Sequence, residues 1–294
     1  MAGIPEVKRT ELDENLIRDF SSEEDFMEIS VSLMIEAGSY VSVVGCILPI
    51  NTQAWDSNQA VLGGHLVRLY KLISAMLDQT CQRRREISFI LARIAFECII
   101  NLSFLLKNYS SDLLLSYKSY SLQHEKRLMD KIKENIRKRN DKTLPIEERM
   151  LRSINRAFTA SGVNPEDIST NELRNWGNKN IYEKATNVGL GESYLSMFGG
   201  GSHNIHGNWQ DLLDYHLEEK SDNHFSPKFE WRNPRPQILN VLAIQTAEVL
   251  KRYIEWLQYE ELNEMIRTLV EFQERVLTLD SAHEKWLSHK SQHE

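Results

Sequence analysis

The chain has 294 residues, 42 of them acidic and 35 basic, so its formal net charge at pH 7 is −7. Hydrophobic residues make up 41% and charged residues 26%, proportions that fit a folded globular protein and exclude a disordered one. Only 13 glycines and 7 prolines are present, so turns are scarce and the elements between them are expected to be long, which favours helices.

The first half of the chain predicts four helices. Residues 1–28 hold nine acidic and three basic side chains, which indicates a loosely held acidic arm before the first helix. The Ser-Ser-Glu-Glu-Asp sequence at 21–25 is typical of a helix start, because hydroxyls cap free N–H groups and carboxylates favour the positive end of the helix dipole. Apolar spacing of three and four residues supports the next helix. The predicted helices run from 21–25 to about 48, over 59–77, from 83–85 to about 107, and from 111 to about 140.

The second half predicts further helices and no convincing strand. Pro145 suits a first helical turn, so a helix is expected from there to about 160. Residues 162–179 are rich in turn formers, with a Thr-Asn-Glu sequence at 170–172 that could cap a short helix. The other predicted helices cover 181–198, 202–217 and two long segments within 237–289. The fold class is therefore all-α: a helical bundle with long flanking N- and C-terminal helices.

Three regions are expected along the chain. They are an acidic N-terminal arm (1–21), a helical bundle core (22–258) and a C-terminal helical extension (259–294). The extension carries a thin apolar stripe between many acidic residues. Such a helix either packs on the core or extends to a partner, and the sequence leaves both open.

The sequence predicts a cytoplasmic protein that does not enter a membrane. The first 15 residues are charged and lack the apolar segment of a signal peptide, and no uninterrupted apolar run reaches the roughly 18 residues that a membrane span needs. The three cysteines, at 46, 81 and 98, are unclustered, which is typical of reduced thiols rather than of disulfides or a zinc site.

One helix combines an apolar composition with charge. Fifteen of the twenty residues at 87–106 are apolar and cover every side of a helix, which predicts burial nearly all round. Arg93 and Glu97 lie four residues apart on one face, with Asn101 a turn further. Because an isolated buried charge costs several kcal/mol, the two charges must pair with each other, with another helix or with a ligand. A buried pair that fixes helix register and a functional site are equally compatible with this pattern.

A glycine–histidine segment is the second candidate. Three glycines at 199–201 precede Ser202 at a predicted helix start, which would leave backbone N–H groups free to bind an anion. His203 and His206 are three residues apart on adjacent parts of one face, and histidine suits proton transfer near neutral pH. A tight bend with packing histidines explains the same residues without any chemistry.

These segments together resemble a known family. The positions that carry the likeness are Arg93, Glu97, Trp176, Tyr194, Ser196, Ser202 and His206-Gly207. They are similar to the bacterial domain-of-unknown-function 5677 family, with its Arg-x3-Glu helix and later Tyr…Ser-x-x-x-His-Gly segment, over roughly residues 60 to 215. That family in turn resembles the HEPN (higher eukaryote and prokaryote nucleotide-binding) group. The resemblance implies an all-helical bundle, frequent dimers and metal-independent RNA cleavage by an Arg/His pair, as in toxins and phage-defence proteins.

The resemblance also suggests roles for the candidate residues. His206 would transfer the proton, Arg93 would hold the phosphate and Glu97 would orient one of them. Residues expected to contact substrate are Ser202, His203, Asn101 and Tyr194. The usual HEPN arginine lies four to six positions before the histidine, but glycines and a serine stand there in this chain, so Arg93 must come from another helix.

The partners expected are RNA or a nucleotide, and a second copy or another protein through the charged helices. The basic residues at 83–85 and 126–139 could guide a polyanion, but a solvated helix face is the favoured explanation of these charges, because charged helices are common. The alternative function is a non-catalytic interaction module with a buried Arg/Glu/His network. A metal-dependent hydrolase is the weakest hypothesis, and since P-loop, HExxH, CxxC and GxSxG motifs are lacking, no cofactor and no metal are expected.

Overall fold

The computed structural model describes residues 5–49, 52–168, 175–194, 197, 205–221 and 223–290. The α-helices of these ranges are α1 (Glu14–Arg18), α2 (Glu23–Gly45), α3 (Gln59–Cys81), α4 (Arg85–Lys107), α5 (Ser111–Ser121), α6 (Gln123–Lys138), α7 (Pro145–Ser161), α8 (Ile181–Asn187), α9 (Gly191–Tyr194), α10 (Trp209–Asp211), α11 (Pro236–Leu257) and α12 (Asn263–Lys290). The two strands are β1 (Leu217–Ser221) and β2 (His224–Pro227). The all-α prediction is confirmed.

The main core lies between four long helices, α2, α3, α4 and α11, with α12 packed on α2 and α11. Each helix contributes side chains that are almost completely buried, such as Leu33, Leu66, Phe96 and Tyr253. Apolar burial of this kind is the main favourable term in folding, at roughly 25 cal/mol per Å² removed from water. The bundle therefore fixes α4, which carries Arg93 and Glu97.

Local sequence signals set the helix starts as predicted. Ser22 and Asp25 form a capping box at the start of α2: the Asp25 N–H donates to Ser22 Oγ at 3.3 Å, and the Ser22 N–H donates to the Asp25 carboxylate at 2.9 Å. The helices predicted over 59–77 and 85–107 are confirmed, and so are the helix from Pro145 and the two long C-terminal helices.

The helix predicted from 111 to about 140 is wrong as a single element. It divides at Leu122, whose φ of −90° and ψ of 2° depart from helical geometry and separate α5 from α6. The reason is a second, smaller core, to which α6 and α7 contribute Met129, Ile132, Ile154 and Phe158. The apolar face of α6 packs against α7, so its direction follows that contact.

The helices predicted over 181–198 and 202–217 are also interrupted. Gly189, with φ of +81°, separates α8 from α9, and Gly207, with φ of +56°, precedes the Asn208 cap of α10. The Thr-Asn-Glu cap at 170–172 lies outside the described residues. The antiparallel hairpin β1–β2 was not predicted, because its largely exposed strands carry little apolar alternation.

The C-terminal helix packs along the core. Its buried side chains are Leu269, Phe272, Val276, Leu279 and His283. The N-terminal arm is held against it, since Ile17 of α1 is buried and α1 contacts α12. Of the two arrangements that the sequence leaves open, packing on the core is the observed one.

Length and composition alone make α2, α3 and α4 apolar enough to cross a membrane. This finding does not support the expectation that the chain lacks a segment able to span a membrane. In the structure these three helices pack against one another, α2 with α3 and α3 with α4.

An ion pair ties the two ends of the chain to the bundle. The Arg275 guanidinium of α12 donates to Glu36 of α2 at 2.6 and 2.9 Å, and the Thr10 N–H donates to the same carboxylate at 2.8 Å. The Glu36 side chain is 1% exposed. Burial raises the pKa of Glu36, but the hydrogen bonds from Arg275 and Thr10 outweigh burial and hold the pKa below its ordinary value.

We expect Glu36→Gln to lower the free energy of unfolding by about 3–5 kcal/mol, because it leaves the Arg275 charge without its partner. In urea unfolding, wild type should also lose stability as the pH falls below 4.5, the ordinary pKa, since a depressed carboxyl pKa stabilises only while the group is ionised. Glu36→Gln should lose this part of the pH dependence.

The matched control is Glu264→Gln, which breaks the exposed Arg267–Glu264 pair of α12. It should change stability by less than about 0.5 kcal/mol. Equal effects of the two variants would contradict the role given to Glu36.

Candidate functional site

Arg93 and Glu97 form an ion pair at the edge of the core. Arg93 Nη1 lies 3.5 Å from the Glu97 carboxylate, and the two side chains are 15% and 39% exposed. No residue of 87–106 is exposed, in agreement with the prediction of burial nearly all round, but the side of the helix that carries Arg93 and Glu97 is only half-buried. Two sides of α4 contact α3 and α11, whereas Ile90 and Ile94 are only half-buried. Composition showed how apolar α4 is, but the number of neighbouring helices decides which residues reach solvent.

Lys184 of α8 lies on the same side of α4 and was missed by the sequence analysis. The residue is 3% exposed, and its Nζ lies 3.5 Å from the centre of the Trp176 ring and 6.0 Å from that of Phe104. Burial lowers the pKa of Lys184 to about 8, and the carboxylates of Glu97 and Glu183 oppose the shift. A lysine on a helix is normally solvated, so no pattern in the sequence predicted this contact.

Local structure holds Lys184 in this position. Asn180 and Glu183 form a capping box at the start of α8, which packs on α4. Trp176 is buried at ring-centre distances of 5.5 Å from Phe104 and 5.1 Å from Tyr117. Lys184 therefore rests on a rigid aromatic support, where the ring quadrupole stabilises its charge.

Tyr194, at the end of α9, completes the group. It is half-buried, and its ring centre lies 5.3 Å from that of Tyr182. Burial raises the pKa of Tyr194, with Glu97 adding to the rise and Arg93 opposing it. The structure therefore brings together Arg93, Glu97, Tyr194 and Lys184, which we call the α4 edge cluster.

The remaining predicted site residues are placed differently. Asn101 is half-buried one turn after Glu97, and its Oδ1 has no hydrogen-bond partner within the described ranges. His206 is exposed, directly before Gly207. Ser202, His203 and the glycines at 199–201 lie outside the described residues. The roles given to these residues stay predictions.

A second histidine has a carboxylate partner. His216 Nε2 lies 3.4 Å from Asp211 Oδ2, and the side chains are 50% and 4% exposed. Residues five apart in an α-helix face directions about 140° apart, so helical spacing hides this pair. It forms because Leu212–His216 is a π-helical turn, a distortion frequent at functional sites.

No group of three or more potential metal-ligating side chains occurs within the described ranges. The α4 edge cluster instead gathers two cations and a phenol near one carboxylate. Arg93 presents positive charge and Tyr194 a hydroxyl to a ligand that approaches Glu97, whereas the buried Lys184 acts only through its charge.

Comparison with protein families identifies the chain. The model of a family of unknown function (DUF5677) matches residues 59–225, more than half of the chain. This protein is a DUF5677 family member. The match runs from α3 to β2 and includes the α4 edge cluster, His206 and the Asp211–His216 pair. No curated protein and no solved structure matches the chain.

Because both charges of the Arg93–Glu97 pair reach solvent, we expect Arg93→Ala to cost at most about 2 kcal/mol of unfolding free energy, below the 3–5 kcal/mol of a broken buried pair. Chemical unfolding at pH 7 measures this. A loss above about 3 kcal/mol would contradict the edge position of the pair.

The Lys184 ammonium should titrate with a midpoint near pH 8, read from the ¹³Cε shift of labelled lysine. Glu97→Gln should move the midpoint lower, since it removes a charge that stabilises the ammonium, and the exposed Glu192→Gln should not. The folded state should gain stability as the pH rises from about 8 towards 10.5, because the neutral amine is the better buried form. An ordinary lysine midpoint would contradict the burial of Lys184.

Proposed function

We propose that this DUF5677 member is an HEPN-like helical protein that acts on RNA, as a metal-independent endoribonuclease or an RNA-binding protein, in a toxin or phage-defence setting. The observation that supports the proposal is the α4 edge cluster, where two cations and a phenol from three helices lie near the partly exposed Glu97. Perturbed titratable groups held together at a partly open edge are typical of functional sites.

The reaction would be an internal transfer at phosphorus. The RNA 2′-hydroxyl loses its proton to a base and bonds to the adjacent phosphorus, while the bond to the 5′-oxygen breaks and that oxygen receives a proton from an acid. The products are a 2′,3′-cyclic phosphate and a 5′-hydroxyl. His206 would carry the proton, and Arg93 would neutralise charge on the phosphate oxygens.

Lys184 and Glu97 would act together. At 3% exposure Lys184 cannot contact a polymer, but its charge attracts Glu97 from behind. Glu97, at 39% exposure, can orient Arg93 towards a bound phosphate. Lys184 is thus a positioning residue, while Arg93, Tyr194 and Asn101 are the groups that would face substrate.

The second candidate is a non-catalytic protein-interaction module. It is favoured by the intrahelical partner of Arg93, since a pair closed within one helix also serves to fix packing. A homodimer or a protein partner on the charged helices belongs to this proposal too. For either function we propose a cytoplasmic location, which the free thiols of Cys46, Cys81 and Cys98 support.

Incubation of a labelled single-stranded RNA with the purified protein tests the function. Wild type should cleave the RNA in the presence of a chelator and leave cyclic phosphate ends. His206→Ala should slow cleavage by about 10²–10⁴-fold, the usual contribution of a general acid or base. Arg93→Ala should slow it as well, and Arg93→Lys should restore part of the rate.

The matched control is His216→Ala, which removes another histidine of the family region, with a side chain that is 50% exposed. It should leave cleavage unchanged if His206 carries the proton. If His216→Ala slows cleavage by this factor and His206→Ala does not, the Asp211–His216 pair carries the proton instead. RNA that is neither cleaved nor bound by wild type would overturn the proposed function.

A further inference from the structure

A surface rich in arginine and aromatic side chains lies where the chain enters α4. The loop after β2, residues 228–235, crosses the start of this helix, and the Arg85 N–H donates to the Arg232 carbonyl at 3.1 Å. We call this region the arginine–aromatic surface. Its members are Arg84 and Arg85 of the α3–α4 junction and Phe229, Trp231, Arg232 and Arg235 of the loop.

Charge at this surface is not neutralised from within the protein. In the ranges that the structure describes, none of its four arginines forms an ion pair, whereas the neighbouring Arg83 pairs with Glu24 at 3.3 Å. Burial lowers the pKa of Arg85, and the positive charges of Arg235 and Arg232 lower it further while Tyr215 and Glu23 oppose them. Like charges held this close, on a chain of net charge −7, favour an anionic ligand.

Aromatic rings lie exposed between these charges. Phe229 is 86% exposed and Trp231 is 50% exposed. The Arg84 guanidinium lies 5.6 Å from the Trp231 ring centre, and that of Arg232 lies 5.2 Å from the Tyr215 ring centre. A large apolar ring in water is unfavourable unless a ligand covers it, so the combination points to a ligand that is both flat and anionic.

The surface is continuous with the α4 edge cluster. Arg85, Phe89, Arg93 and Glu97 recur every four residues of α4, and the Arg85 guanidinium lies 5.3 Å from the Phe89 ring centre. Residues at this spacing form a ridge along a helix. At 1.5 Å per residue, the ridge from Arg85 to Glu97 is ~18 Å long.

We propose that the arginine–aromatic surface binds single-stranded RNA and leads it along the α4 ridge towards Glu97. Unpaired bases stack on the Trp231 and Phe229 rings, and phosphates pair with Arg232, Arg235 and Arg85. Stacking requires unpaired bases, which a duplex does not offer. The inference deepens the proposed function and rests on it for the choice of RNA as the polymer.

Fluorescence anisotropy of a labelled 12-nucleotide RNA tests the surface. Phe229→Ala and Trp231→Ala should each weaken binding about tenfold or more, as removal of a stacking ring does. Arg232→Gln/Arg235→Gln should weaken binding and lower the slope of log affinity against log salt by about 0.7 for each phosphate that the protein no longer neutralises. A duplex of the same sequence should bind more weakly than the single strand.

Two matched controls isolate the surface. Arg68→Gln/Lys71→Gln removes the same charge from exposed positions of α3, and Tyr70→Ala removes an exposed ring from the same helix. Both should bind RNA as wild type does. Phe229 is so exposed that Phe229→Ala cannot unfold the protein, and the thermal unfolding midpoint of every variant confirms the fold.

The outcomes separate this inference from the proposed function. RNA binding without cleavage in wild type would leave the surface standing and overturn the nuclease. If the Phe229, Trp231 and Arg232/Arg235 variants cleave RNA and bind it as tightly as wild type does, the proposed surface is overturned and the proposed nuclease stands. Weaker RNA binding by the α3 charge control than by Arg232→Gln/Arg235→Gln would also overturn the surface, and so would poly-glutamate that competes as well as RNA does.

Discussion

The burial of α4 on two of its sides is the constraint on which the rest of the structure depends. Phe96 and the side chains that share its face are held between α3 and α11, which fixes both the height and the rotation of the helix. The charged residues Arg93 and Glu97 therefore lie at the boundary of the core. At this boundary a charge keeps part of its hydration and still interacts strongly with its neighbours, because the local dielectric is lower than that of water.

Two acids of the bundle, Glu36 and Glu97, illustrate different uses of the same physics. Glu36 is almost fully enclosed, and Arg275 and Thr10 satisfy both of its oxygens, so that it links the chain ends to the core. Glu97 has one partner in its own helix and a cation, Lys184, behind it, while its side chain stays 39% exposed. A closed network stabilises a fold, and a network with an accessible carboxylate is able to respond to a ligand.

The sequence predicted those elements whose signals are local. Ser22 and Asp25, which are three residues apart, cap the start of α2, and Pro145 is the first residue of α7. The break at Leu122 was not predicted because it follows from the packing of α6 on α7, which is tertiary. Lys184 was missed for the same reason, since its burial depends on Trp176, and the Asp211–His216 pair was missed because a π-helical turn replaces the α-helical spacing. Of the predicted site, Arg93, Glu97 and Tyr194 were found in one place.

The position of the loop after β2 gives the same helix a second role. Helix α4 begins with arginines that face a loop of two further arginines and two exposed rings, and only one acid, Glu230, lies in that loop. If these residues served packing alone, burial would be expected to cover the Phe229 ring, and it is 86% exposed instead. The ridge of residues spaced four apart on α4 then connects the arginine–aromatic surface to Glu97 along a single helix. One rigid helix is therefore suited both to hold a polymer and to present a charged group to it, because positions fixed on a helix keep their separation when a flexible ligand binds.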